Sequence, residues 1–151
     1  MIRLVEIHED NWQAFAALEL AEDQQRFLDR PVGILARGYV YRAANARVFG
    51  IADGDTAVGL ALVKDLDEEP ACYDLQQFMV GSRFQRRGVG TEALGQILSL
   101  LEREGRYDCV EVCVDREDSP ALRLYEKAGF KDTGYIDESC PHCLNLTYRF
   151  R

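Results

Sequence analysis

Residues Gln85-Arg86-Arg87-Gly88-Val89-Gly90-Thr91 have the types and the spacing to hold an anion. They follow the apolar run Phe78-Met79-Val80 and open an amphipathic segment from Thr91 to Glu104. A glycine-rich turn feeding a helix leaves N–H groups unpaired and aimed outward, and the helix dipole adds partial positive charge there. A pyrophosphate can dock on such an end, with Gly88 and Gly90 letting backbone approach it closely. Other nucleotide loops use other spacings. An ATPase loop needs Gly, four residues, then Gly-Lys-Ser/Thr, and a dinucleotide fold needs Gly-x-Gly-x-x-Gly near the start of a strand-helix-strand unit. The sequence contains neither.

A second segment runs Asp115-Arg116-Glu117-Asp118-Ser119-Pro120-Ala121-Leu122-Arg123-Leu124-Tyr125-Glu126-Lys127-Ala128-Gly129-Phe130. It reads as a helix start, with Asp118 or Ser119 as N-cap and Pro120 in the first turn, followed by a short helix stopped at Gly129. The two segments resemble, in order and spacing, the two signatures of the GNAT superfamily of acyl-CoA N-acyltransferases. The first is Gln/Arg-x-x-Gly-x-Gly/Ala, matched by Gln85, Gly88 and Gly90. The second is Asn-x-x-Ala-x-x-Leu-Tyr-x-x-x-Gly-Phe, matched from Asp118 to Phe130 with Asp in place of Asn. The resemblance covers most of residues 73–150 and, more faintly, 48–63.

That resemblance implies an acetyl-CoA-dependent N-acetyltransferase. The CoA pyrophosphate would lie on Gln85, Arg86, Arg87, Gly88, Val89, Gly90 and Thr91, and the pantetheine arm along Phe78, Met79 and Val80, with a further contact at Asp118. In such a reaction a neutral amine attacks the thioester carbonyl, an oxyanion develops and a thiolate leaves. Preorganised N–H donors meet the developing charge, and the family draws them from a bulged fourth strand, here around Phe78 to Met79. Tyr125 occupies the family's general-acid position. A phenol with a pKa of about 10 stays protonated at neutral pH and can hydrogen-bond the leaving sulfur.

The layout of Gly59-Leu60-Ala61-Leu62, an acid-rich loop, Leu75 to Val80 and Gln85 to Gly90 resembles bacterial spermine/spermidine acetyltransferases. The implied acceptor is a small cationic amine, met by Asp74, Gln76 and Gln77. An alkylamine of pKa about 10.4 is only ~0.1% neutral near pH 7.4, so its deprotonation costs about 4 kcal/mol without help. Polyamine-type relatives often carry a carboxylate where Gln76 or Gln77 stands, and an amide is no base. Asp74, Glu111, a water chain or a pocket that lowers the substrate's pKa are the alternatives. An aminoglycoside-type or protein N-terminal acetyltransferase, and a noncatalytic acyl-CoA-binding module, remain the competing readings.

These residues must be positioned by an ordinary set of elements. Ile2 to Ile7 alternates as a strand, and Asn11 to Leu20 places Trp12, Phe15, Ala16 and Leu20 at helical spacing. Pro31 to Tyr41 predicts a second helix, interrupted in propensity by Gly33 and Gly38. Arg47 to Ala52, the turn Asp53-Gly54-Asp55 and Ala57 to Val63 read as a hairpin, and Cys72 to Val80 as the strand before the glycine turn. The helix that follows carries Val89, Ala93, Ile97 and Leu100 on one stripe. Cys109 to Val114 alternates as a buried strand, and strands near Lys131 to Ile136 and Leu144 to Phe150 close the chain.

The resulting order, β-α-α-β-β-β-α-β-α-β-β, is that of the GNAT fold, an α+β sandwich of α/β/α layers. By resemblance its mixed sheet splays between the fourth strand, Cys72 to Val80, and the fifth, Cys109 to Val114.

At 151 residues the chain can bury roughly 70% of its unfolded surface in one domain, spanning residues 1–151. No apolar run approaches the roughly 20 residues of a membrane span, and the charged N-terminus is no signal peptide. Five cysteines, an odd number, argue for reduced thiols and a cytoplasmic location. A formal net charge of -8 disfavours nucleic acid and favours a cationic acceptor. The run Asp65-Leu66-Asp67-Glu68-Glu69 with Asp74 is the densest acidic stretch, and Arg83, Arg86 and Arg87 offset that charge beside the glycine turn. Cys140-Pro141-His142-Cys143 groups three metal-capable side chains without a second half-site of similar spacing, so no metal is expected. Many relatives pair into dimers, so the resemblance allows a homodimer, although the sequence itself does not read out an oligomeric state.

Overall fold

The computed structural model describes residues 1–150. In chain order the elements are β1 (Ile2–Glu6), α1 (Trp12–Ala16), α2 (Pro31–Val40), β2 (Arg47–Asp53), β3 (Thr56–Leu66) and β4 (Cys72–Val80). They continue with α3 (Val89–Glu104), β5 (Cys109–Asp115), α4 (Ser119–Ala128), β6 (Lys131–Asp132) and β7 (Cys143–Arg149). This is the order expected from the sequence. All strands join one sheet, β1-β2-β3-β4-β5-β7-β6, antiparallel at every junction except β4 with β5. No helix among the described residues is long and apolar enough to cross a membrane.

Period-2 alternation divides the side chains of β3 between two cores. Leu60 and Leu62 pack with Phe15, Leu20 and Ile34 under α1 and α2. Ala61 and Val63 pack with Ala93, Leu94, Ile97 and Leu101 of α3 on the other face. The same alternation is interrupted in β4. Tyr73 and Leu75 face the α3 core, yet so does Phe78, while Met79 lies in the α1/α2 core. The change of parity comes from a bulge: Leu62 pairs with Gln77 and Val63 with Leu75, leaving Gln76 as the extra residue. A bulge bends its strand and re-aims the side chains beyond it.

Three elements differ from the sequence reading. The first helix stops at Ala16 rather than reaching Leu20. A five-residue helix holds few internal bonds, and Glu19 O instead accepts the Ser82 N–H at 2.8 Å. Leu20 is buried, but Trp12 is 43% exposed and outside the core. The sixth strand is two residues long rather than six, because the chain turns away at Gly134, with φ of 77°. On α3 the buried stripe takes Leu101 rather than Leu100, which is only half-buried. The glycines of α2 are explained by packing: a Cβ on Gly38 would stand 2.7 Å from Val48 Cγ2.

Candidate active site

β4 and β5 are in register only at Tyr73 with Val110 and Asp74 with Glu111. That closed end is pinned by Tyr73, whose buried hydroxyl donates to Leu101 O and accepts the Arg106 N–H, each at 3.1 Å. Beyond it the strands part, as the resemblance implies. A cleft of about 690 Å³ opens between them, within the range of small-molecule and cofactor sites. Its walls are β4 from Leu75 to Val80, β5 from Val112 to Asp115, the glycine turn and the cleft-facing side of α4.

At one end of the cleft α3 begins without a cap. Gly88 is its N-cap residue, at φ 78°, and no side chain bonds the first turn. The first backbone bond into the helix is Glu92 N–H to Gly88 O, so the N–H groups of Val89, Gly90 and Thr91 have no partner among the described residues. A Cβ built on Gly88 would meet no protein atom within 4 Å, so the turn has open space in front of it. Gly90 is different: a Cβ there would touch Leu124 and Val80 at 3.8 Å, which places its bare side against protein. Of the basic cluster, Arg86 lines the cleft, while Arg83 and Arg87 are exposed on the flanks. Gln85 is a tie rather than a free arm, its Nε2 donating to Val80 O at 3.1 Å and Gln24 Oε1 at 2.7 Å.

Across the cleft α4 begins with a cap. Asp118 is the N-cap, and its Oδ1 accepts the Ala121 N–H at 3.3 Å. Burial raises its pKa, and the neighbouring Asp115 and Asp23 carboxylates add to the rise. Two turns on, Tyr125 is 7% exposed, its ring tilted against Phe78 at 6.5 Å and edge-on to Phe130 at 5.2 Å. Its hydroxyl bonds no described residue, yet it is not sealed away, and the residue lines the cleft. Burial, and then the Asp118 charge, push this phenol above its ordinary value. It therefore holds its proton throughout the neutral range.

The expected acceptor residues separate into two groups. Gln76 and Gln77 line the cleft, but each carbonyl braces the α2 side: Gln76 accepts from Arg37 Nη1 at 3.0 Å and Gln77 from Asp29 N–H at 3.1 Å. Asp29 and Arg37 are themselves paired at 2.8 Å. Asp74 and Glu111 do not line the cleft; they lie at the closed end, where the strands still pair. Asp74 sits 3.2 Å from Lys64, and burial raises both carboxyls. The acidic run from Asp65 to Glu69 also precedes the closed end, and Asp65 is bound to Arg106 at 2.6 Å. It does not reach the cleft.

Other charged groups also line the cleft. Residues 23–28, between α1 and α2, form one wall and bring Asp23 and Arg26 to the cleft, while Arg123 comes from α4 and Asp115 from the end of β5. Nothing in the periodicity of residues 21–30 marks them as a wall; only tertiary register does. A cysteine cluster also borders the cleft. Cys113, Cys140 and Cys143 place their sulfurs within 4.8 Å of one another. Cys140 and Cys143 Sγ are 2.7 Å apart, and His142 Nε2 lies 3.8 Å from Cys140 Sγ and 3.8 Å from Asp115 Oδ2. A third sulfur thus reaches the pair from β5, which no sequence spacing reveals.

Comparison with known proteins gives the family and the fold. A sequence profile described as the acetyltransferase (GNAT) family matches residues 4–130. The L-amino acid N-acetyltransferase AaaT of Escherichia coli is 27% identical over 113 residues, covering 74% of this chain and 61% of that protein. The spermine/spermidine N(1)-acetyltransferase of Bacillus subtilis is 22% identical over 139 residues, covering 90% of this chain and 91% of that protein. In fold, the PaiA N-acetyltransferase of Thermoplasma acidophilum, solved in complex with coenzyme A, superposes with a TM-score of 0.72 at 13% identity over 99% of each chain.

Proposed function

The chain belongs to the acetyltransferase (GNAT) family, and from that premise we propose that it transfers an acetyl group from acetyl-CoA to the primary amine of a small polycation such as spermidine or spermine. The observation that carries this reading is the parting of β4 from β5, which sets an uncapped helix start and a buried, protonated phenol on one cleft. The residues present fit acetyl-CoA: three free N–H groups, open space over Gly88 and the Arg86 guanidinium suit a pyrophosphate. When bound, that molecule supplies an activated thioester.

The chain's own part is positioning and proton traffic. The edge of β4 beyond Leu75 has no β5 partner, so its backbone groups are free to align the pantetheine arm and to donate to the developing oxyanion. The Gln76 bulge sets the direction of that edge. Tyr125 gives its proton to the sulfur as the carbon–sulfur bond breaks, and the proton released by the attacking nitrogen restores the phenol through solvent. Asp23 and Asp115 offer the carboxylates that a polyamine pairs with, on a cleft that Arg26, Arg86 and Arg123 also line. Similarity to the Bacillus subtilis enzyme over 91% of its length and the net charge of -8 support the same acceptor class. Five free thiols support a cytoplasmic setting.

Acetyl-CoA turnover against an amine panel, read as thiol release, tests this directly. Spermidine and spermine should give the highest kcat/KM, with an advantage that shrinks as salt screens the carboxylates. L-amino acids, an aminoglycoside and an N-terminal peptide are the comparators. A preference for any of these at low salt removes the polyamine assignment, and acetyl-CoA binding without turnover of any amine makes the protein a binding module.

A further inference from the structure

We propose that Cys113, Cys140, Cys143 and His142 form a structural zinc site that fastens the turn before β7 to the end of β5. The donors come from two places in the chain. Cys113 stands on β5 opposite Asn145, and Asp115 stands opposite Cys143, so the antiparallel register carries β7's first residue to the same edge. The turn then adds Cys140 and His142 from above. Three sulfurs lie within 4.8 Å of one another, and the imidazole Nε2 is 3.8 Å from one of them.

A tetrahedral zinc with bonds of about 2.3 Å to sulfur and 2.0 Å to nitrogen sets sulfurs about 3.8 Å apart and sulfur to nitrogen about 3.5 Å. The cluster reaches that arrangement if Cys140 and Cys143 part by about 1 Å and the exposed His142 ring swings inward. A reversible Cys140–Cys143 dithiol is the simpler alternative, but it uses two donors, leaving Cys113 unused and His142 beside Asp115 alone. Zinc uses all four. Four protein ligands close the coordination sphere, so the ion would hold structure and leave acetyl transfer to the groups described above. As Zn²⁺ enters, the three thiols lose their protons to solvent and three sulfur–zinc bonds form, with no change of oxidation state.

The test uses the full chain, reduced and stripped with a chelator, then titrated with Zn²⁺ against a chromogenic competitor and, separately, with Co²⁺. One Zn²⁺ per chain is expected, along with the visible and near-ultraviolet bands of tetrahedral thiolate-bound cobalt. Cys113→Ser and Cys140→Ser should each weaken Zn²⁺ binding by at least about 10–100-fold, the range already seen for partners outside the first coordination sphere. His142→Ala, at an exposed position, should weaken it with the fold intact, as followed by circular dichroism. Failure of the reduced protein to bind Zn²⁺ overturns the site, as does unchanged affinity in Cys113→Ser. A Cys140–Cys143 bond formed in air, in a protein whose reduced form ignores Zn²⁺, replaces it with the dithiol. None of these readings depends on which amine is acetylated, or on acetylation at all.

Discussion

At the start of α3, Gly88 brings no side chain to the first turn and three N–H groups stay free; at the start of α4, Asp118 turns a carboxylate back onto Ala121. Both ends face the same cleft. An uncapped helix start leaves positive backbone potential unspent, which suits an external anion. A capped one satisfies itself and is free to serve through side chains further along, as α4 does with Tyr125. The two helices thus divide the proposed work: α3 binds with backbone, and α4 reacts with a side chain.

The largest expected effect separates these roles on α4. Tyr125→Phe keeps the ring contacts with Phe78 and Phe130 but removes the proton. Steady-state kinetics should show kcat reduced by about 10²–10⁴-fold, while CoA affinity measured by calorimetry stays at the wild-type value. Full turnover in this variant would reduce Tyr125 to a packing residue.

The cap itself should matter to folding more than to binding. Asp118→Ala removes an N-cap, a loss of about 1 kcal/mol, offset in part by relief of a buried carboxylate. Asp118→Asn keeps an oxygen acceptor and should unfold at nearly the wild-type denaturant midpoint. The pH dependence has a definite sign. The folded chain holds the Asp118 proton more tightly than the unfolded chain does, so stability falls as pH rises from the ordinary carboxyl value of 3.8 through the raised folded value. Asp118→Asn should lack that component, and denaturant melts of the two proteins across this window read the difference.

A smaller effect concerns the alkaline side of the rate profile. Activity should rise with pH as the acceptor amine deprotonates. Because burial raises the Tyr125 pKa above 10.0, the fall caused by phenol ionisation should begin beyond that point. A downturn below about pH 9 that vanishes in Tyr125→Phe would contradict the buried environment.

Much of this division was legible in the chain. Cys72 to Val80 is the observed β4 to the residue, and the caps and stops around Gly88, Asp118 and Gly129 are local chemistry that a short window reads. The parting of β4 from β5 came only through family resemblance, because strand separation leaves no periodic trace. Register effects were legible only in part: resemblance gave a bulged fourth strand around Phe78 to Met79, whereas the extra residue is Gln76. The Gln76 bulge flips the faces of Phe78 and Met79, the acidic run lands beyond the closed end, and Cys113 meets Cys140 and Cys143. Each is decided by which strand lies opposite, at distances along the chain that no motif spans.

The central claim, that the bare start of α3 holds the CoA pyrophosphate, is tested most directly by calorimetric titration of CoA into wild type and Gly88→Val. A Cβ there enters open space in front of the free N–H groups, and a β-branched residue resists φ of 78°. With both proteins folded by circular dichroism, wild type should bind one CoA per chain and the variant should bind at least about 10-fold more weakly. Equal affinity in a folded Gly88→Val protein would place the pyrophosphate elsewhere and contradict the account.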